Sequence, residues 1–171
     1  MKVLVAYMSK TGNTKKIAEA IYGQISCEKE IRPIEEVQDI GAYDLSFLGF
    51  PTHGMGPDKK VKEILAKHCT NGRNVALFVT HCSPENAPLT MEWMNGFKQA
   101  AAGANIVGFF DCQGQLAKGV KFVMRISPKK DFRRWAKMDS SEGQPDGARL
   151  ERARAFAKDT MSRADSLRKG P

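Results

Sequence analysis

The chain has 171 residues, 42% hydrophobic and 27% charged, which is the balance of a soluble globular protein of single-domain length with enough apolar surface for a proper core. Its net charge is +8, and its four cysteines, Cys27, Cys69, Cys82 and Cys112, show no C-x-x-C pair and are too few for a disulfide scaffold; the adjacent His81 and Cys82 lack further ligands at zinc spacing. No segment reaches membrane-spanning length and Met1-Lys2 leads straight into an apolar run, so the expectation is a cytoplasmic protein with no membrane partner.

Apolar runs alternate with amphipathic stretches, the pattern of a parallel sheet covered by helices on both faces. Val3-Leu4-Val5-Ala6-Tyr7 reads as the first strand. A helix beginning at Thr14 places Ile17, Ala18, Ile21, Tyr22 and Ile25 on one stripe. A short second strand is expected around Ile31–Ile34, and a third over Leu45–Phe50, stopped by Pro51. Asp58 caps the next helix, whose inner face carries Val61, Ile64, Leu65 and His68 and which ends at Asn71-Gly72. Val75–Val79 supply the fourth strand; Trp93, Met94, Phe97, Ala100 and Ala101 mark a buried helix face; Ile106–Phe110 supply the fifth strand. From about 113 to 145 the alternation becomes irregular. Leu150, Ala153, Ala157, Met161 and Ala164 then define a closing helix, started by Asp146 and expected to fray near Gly170-Pro171.

The junction of the first strand and first helix, Ser9-Lys10-Thr11-Gly12-Asn13-Thr14, carries the most chemistry. A helix start leaves N–H groups unpaired with the positive end of the helix dipole behind them, so an anionic phosphoryl group is stabilised there. Ser9, Thr11 and Thr14 add hydroxyls, and Gly12 lets the backbone close around oxygen atoms. Neither G-x-x-x-x-G-K-[ST] nor G-x-G-x-x-G occurs in the chain, and three hydroxyls around one glycine suit a terminal monophosphate. The chain here resembles the flavodoxin family, whose first loop reads [ST]-x-T-G-x-T and holds the phosphate of FMN; every fixed position is matched. A Rossmann order gives a similar string of elements, and it is this resemblance that selects a flavodoxin-like α/β fold, one domain over 1–171 with a five-stranded parallel sheet of order 2-1-3-4-5 and helices on both faces.

In open α/β sheets ligands bind at the carboxyl ends of the strands, where strand order reverses. The resemblance implies that the loops after the third and fourth strands flank the isoalloxazine ring, here Pro51-Thr52-His53-Gly54-Met55-Gly56 and Thr80-His81-Cys82-Ser83. Many flavodoxins place a Trp and a Tyr in those loops; this chain has neither, and His53, Met55 and His81 are the nearest substitutes. Softer walls imply a less negative potential and a flavin face more open to solvent or substrate. Cys82 and Cys112 end adjacent strands on the same edge, where a free cysteine usually serves as a small hydrophobe.

Three functions follow. The first is FMN-based electron transfer between redox proteins, in which the flavin carries the chemistry and the protein supplies binding, orientation and potential. The second is an FMN-dependent reductase of a small organic acceptor such as a quinone or a carboxylate-bearing substrate, and the third a flavin-free binding module. Residues 118–137 weigh on the partner: they hold eight basic side chains and one acid, Asp131. Charge of one sign beside the flavin edge favours a redox partner protein or an anionic small-molecule acceptor. No nucleic-acid module accompanies that charge, so nucleic acid is disfavoured, and Phe122, Phe132 and Trp135 read equally well as core anchors.

Overall fold

The computed structural model describes residues 1–85 and 87–169. Strands β1 (Lys2–Tyr7), β2 (Glu28–Pro33), β3 (Leu45–Pro51), β4 (Asn74–His81) and β5 (Asn105–Gln113) form one parallel sheet in the order β2-β1-β3-β4-β5. The three central strands are apolar at nearly every position because both of their faces are covered. Side chains of a strand point alternately to opposite faces, so Val3 and Val5 enter one core and Leu4 and Ala6 the other.

Helices α1 (Asn13–Gln24) and α6 (Gly147–Lys169) cover the first face, where Ile17, Ile21, Ala153 and Ala157 meet Phe47 and Phe78. Helices α2 (Lys59–His68) and α3 (Pro88–Ala100) cover the second, through Val61, Leu65, Met94 and Phe97. Two glycines make these layers fit. A Cβ at Gly49 would lie 2.1 Å from the Phe78 ring, and one at Gly108 would lie 2.6 Å from Thr160 Oγ1 on α6. Each absent methyl is therefore space that a neighbouring side chain fills.

The caps agree with the sequence reading. Asp58 Oδ1 accepts from Val61 N at 2.8 Å at the start of α2, and Asn71 and Gly72 turn the chain out of it at φ 56° and 64°. Asp146 Oδ1 accepts from Arg149 N at 3.0 Å ahead of α6, while the fraying expected at Gly170-Pro171 lies outside the described residues. His68 is buried among core side chains, and burial lowers its pKa.

Four boundaries differ. The fourth strand runs past Val79 through Thr80 and His81, which pair with Cys112 and Gln113 and so belong to the sheet and not to the loop after it. The second strand begins at Glu28, earlier than Ile31, because an edge strand tolerates alternating charged residues on its solvated positions. The fifth continues through Asp111, Cys112 and Gln113, whose polar members the apolar-run criterion had left out. The segment read as irregular contains two helices, α4 (Lys118–Ile126) and α5 (Lys130–Met138), packed on each other. No residue of α4 is buried, and Phe122, Phe132 and Trp135 are exposed, so they do not anchor a core. No helix among the described residues is long and apolar enough to cross a membrane.

Candidate functional site

Strand order reverses between β1 and β3, so their carboxyl-end loops emerge side by side and leave an opening at the switch point. Met8 N still donates to Gly49 O at 2.8 Å, and the chain then turns away from the sheet at Ser9. Gly12 precedes α1 at φ 89°, a left-handed conformation that favours glycine, and no side chain caps the helix from this position. Ser9 Oγ instead accepts from Gly12 N at 3.1 Å, which folds the loop over its own backbone. Lys10 and Thr11 are exposed at the rim. An uncapped helix start with a left-handed glycine, a free threonine and a lysine beside it fits a phosphate.

Two residues of this loop do something other than expected. Thr14 is buried and its Oγ1 lies 2.8 Å from Thr80 Oγ1, so this hydroxyl ties α1 to β4 beneath the loop. Asn13 Nδ2 donates to Gln115 O at 2.8 Å, holding the loop after β5 against the loop after β1. Gly114 makes that approach feasible, because a Cβ there would lie 2.9 Å from Asn13 Nδ2. The contribution of Gly114 and Gln115 was missed by sequence reasoning; a glycine at the carboxyl end of a strand on the switch edge is the signal that pointed there.

The loop after β3 continues the pairing with β4 for one residue, Thr52 N donating to Thr80 O at 2.9 Å beyond the Pro51 to Thr80 register pair. It then turns through Gly54 (φ 74°) and Gly56 (φ 138°), with His53 N donating to Gly56 O at 3.3 Å. Gly56 packs against the backbone of α3 at Trp93. His53 Nδ1 stands 3.0 Å from Asp58 Oδ2, but the angle is too poor for a hydrogen bond, so this is an ion contact of the protonated ring alone. Met55 is 71% exposed and free to lie over a planar ligand.

At the carboxyl end of β4 the expectation for His81 changes. Its side chain has no exposed surface: Nδ1 lies 2.9 Å from Ser83 O and Nε2 lies 3.1 Å from Asp111 Oδ2. Both neighbours accept hydrogen bonds; a neutral imidazole has one N–H and serves one of them, while the protonated ring serves both. His81 thus joins β4 to β5 and presents no side-chain wall to a ring, leaving His53 and Met55 as the walls available. Ser83 Oγ accepts from Thr90 Oγ1 at 2.9 Å, fixing the loop to the first turn of α3. Cys82 is exposed as a residue, yet desolvation around its sulfur pushes the thiol pKa up. Cys112 is fully buried and pushed up to about 12 by burial, so it holds no thiolate for redox chemistry.

A charged cluster secures the same loop from behind. Glu85 accepts from Gln113 N at 3.0 Å and pairs with Arg149 Nε at 2.8 Å and Arg152 at 2.7 Å. Burial works to raise the Glu85 carboxyl, but the Gln113 N–H and the two guanidiniums outweigh it and hold it below its ordinary range. No group of three or more His, Cys, Asp or Glu among the described residues is arranged to hold a metal ion. A cleft of about 360 Å³ lies between α1 and α6 beside Lys16, Glu19 and Arg154, away from these loops.

Solved structures share this architecture. Oxidised flavodoxin 2 of Bacillus cereus superposes with a TM-score of 0.62 at 22% identity, over 95% of this chain and 99% of that one. A flavoprotein of Lactobacillus acidophilus, crystallised in complex with FMN, gives a TM-score of 0.54 at 22% identity over 64% of this chain and 92% of its own. At such identities the likeness is one of fold. In sequence, the chain is 34% identical to the flavodoxin-like domain-containing protein BilS of Clostridioides difficile, over 96% of this chain and 98% of that protein. The flavodoxin domain family matches residues 4–158, nearly the whole chain, and the protein belongs to that family.

Proposed function

We propose that the protein binds FMN at the switch edge and transfers electrons between redox partners. The observation that carries this reading is the loop Ser9–Thr14, in which a left-handed Gly12, an uncapped α1 and the exposed Lys10 and Thr11 form a cradle for one terminal phosphate. Family membership supports the same cofactor, as does the fold shared with a flavoprotein crystallised with FMN. When bound, the flavin supplies the redox chemistry. The chain's own contribution is to hold the phosphate at the helix start, to tie α1 to β4 beneath it through Thr14 and Thr80, and to leave the ring between the loops after β3 and β4.

A second reading, reduction of a small organic acceptor by the bound flavin, is favoured by the absence of aromatic walls. His53 and Met55 leave room for a molecule beside the ring, where a Trp and Tyr pair would fill it. The experiment that separates the two readings is an anaerobic dithionite titration of the FMN-loaded protein followed by absorbance. Two resolved one-electron stages support transfer between redox proteins, and a single two-electron step supports the reductase.

A further inference from the structure

An amphipathic helix normally turns its apolar stripe toward the protein. Helix α4 does the reverse. Its Lys121 Nζ pairs with Asp139 Oδ2 at 2.7 Å at the foot of α5, while Val120, Phe122, Val123 and Ile126 are at least half exposed. On α5, Trp135 is 53% and Met138 66% exposed. Among the described residues, seven of the eleven exposed large apolar side chains belong to these two helices, and three more, Met55, Leu89 and Met91, lie in the loop after β3 and the first turn of α3. The apolar surface of the molecule is thus gathered around one edge. Exposed apolar residues concentrated on one pair of helices in this way mark an interaction surface, whereas singly scattered ones do not.

The hairpin is rooted at the same edge. Gln113 Nε2 donates to both Cys82 O, at 3.2 Å, and Ser140 Oγ, at 3.1 Å, and Leu116 N donates to Ser141 Oγ at 2.8 Å. Gln115 O is the acceptor for Asn13 of the phosphate loop. Whatever covers α4 and α5 is therefore held beside the loops assigned to the flavin. Of the eight basic residues of 118–137, six (Lys118, Arg125, Lys129, Lys130, Arg134 and Lys137) are exposed, against the one acid Asp131, which favours an anionic cover. A second copy of this chain, also at +8, is repelled.

We propose that α4 and α5 form a docking hairpin for an acidic electron-transfer protein, a haem or iron–sulfur protein whose carboxylate-rimmed apolar surface seats on Phe122, Ile126 and Trp135 and brings its redox centre to the flavin edge. This rests on the flavin reading above. A lipid surface has the charge but no redox centre to receive electrons at that edge, which is why a protein is favoured over an anionic membrane.

The test uses the full chain loaded with FMN, reduced by dithionite and mixed in stopped flow with ferric cytochrome b5, an acidic acceptor, or ferric cytochrome c, a basic one. Each reduced flavin gives one electron to each of two haems and releases its protons to solvent. One variant removes exposed charge (Lys118→Gln, Lys130→Gln, Arg134→Gln and Lys137→Gln), and a second removes apolar surface (Ile126→Gln and Trp135→Gln). With cytochrome b5 the charge variant is expected to lose rate by about tenfold at low salt and to show a flatter salt dependence. The apolar variant is expected to lose rate at all salt concentrations, and hydrogen exchange across 118–138 to slow when cytochrome b5 is added. Oxidation by a neutral quinone should be unchanged in both, which shows that the flavin itself is intact. Equal rates for both variants and the native chain would overturn the proposal, and loss in the charge variant alone would overturn its apolar half. Sedimentation with phosphatidylserine vesicles, abolished in both variants while cytochrome b5 rates stay unchanged, would assign the hairpin to a membrane instead. Lack of flavin absorbance after loading would overturn the flavin reading, before any partner is added.

Discussion

Thr11 and Thr14 stand three residues apart in one motif, yet the fold gives them different work. Thr11 is exposed at the rim of the cradle, whereas Thr14 is buried and hydrogen-bonded to Thr80. Replacing Thr11 by Val should weaken FMN by about tenfold or more, the worth of a hydrogen bond to a charged group, while leaving riboflavin binding and thermal stability alone. Replacing Thr14 by Val should instead lower the stability of the flavin-free chain by about 1–3 kcal/mol, because it strands the Thr80 hydroxyl in the interior. Paired titrations of FMN and riboflavin, with thermal unfolding of each flavin-free variant, check both; equal loss for the two flavins in Thr11→Val would remove that hydroxyl from the phosphate site. Gly114→Ala tests the contact between the two loops. Its new methyl displaces Asn13 from Gln115, and FMN affinity should fall although neither residue is required to touch the flavin. The motif was legible in the sequence because its residue types are fixed by local chemistry. The burial of Thr14 and His81 was not, since each depends on a partner in an element distant in sequence, Thr80 on β4 for Thr14 and Asp111 on β5 for His81.

At the scale of the element, charge anchors the hairpin and the loop after β4. Burial pushes the Asp139 carboxyl up, but Lys121 and the Ser141 side chain and N–H prevail and hold it below its ordinary range, as the arginines do for Glu85. A carboxylate with a lowered folded-state pKa contributes stability that is fully present above its unfolded value and is lost as pH falls through the folded one. The ordinary values are 3.8 for Asp139 and 4.5 for Glu85, so the anchor should hold at neutral pH and fail only in acid below that range. Hydrogen exchange along an acid series should show protection at 118–138 disappearing before that of β1 and β3. An Asp139→Asn variant should show the same loosening already at neutral pH. Loosening of 118–138 as pH rises, or loss of its protection in acid only together with that of β1 and β3, would contradict this. The strands and the four helices that cover the sheet were legible because their apolar periodicity matches what each one packs against. The hairpin was not, because its apolar face looks outward, and an aromatic residue at helical spacing does not reveal whether its partner is inside or outside the chain. The start of β2 and the end of β5 were missed for a related reason: edge strands, and strand ends at the switch point, carry polar side chains.

Across the whole molecule the sheet order places the Ser9–Thr14 loop, the loops after β3 and β4 and the hairpin root at the same, carboxyl ends of the strands, where the proposed FMN site lies. Gly49 lies in the central strand, and its missing Cβ is the space occupied by the Phe78 ring on β4. Gly49→Ala should therefore displace Phe78 and destabilise the fold by about 2–3 kcal/mol, a fall of roughly 5–10 °C in Tm read by calorimetry. FMN should recover part of that loss by binding the native state alone. Recovery of this kind ties the cofactor to the fold, and its most direct form is a pair of binding titrations on the native chain. Fluorescence quenching of FMN and of riboflavin, at equal flavin concentration, should show FMN bound at least tenfold more tightly, with the difference removed by Thr11→Val. Equal affinity for the two flavins, or no binding of either, would contradict a phosphate cradle at Ser9–Thr14 and with it the assignment of the switch edge to FMN.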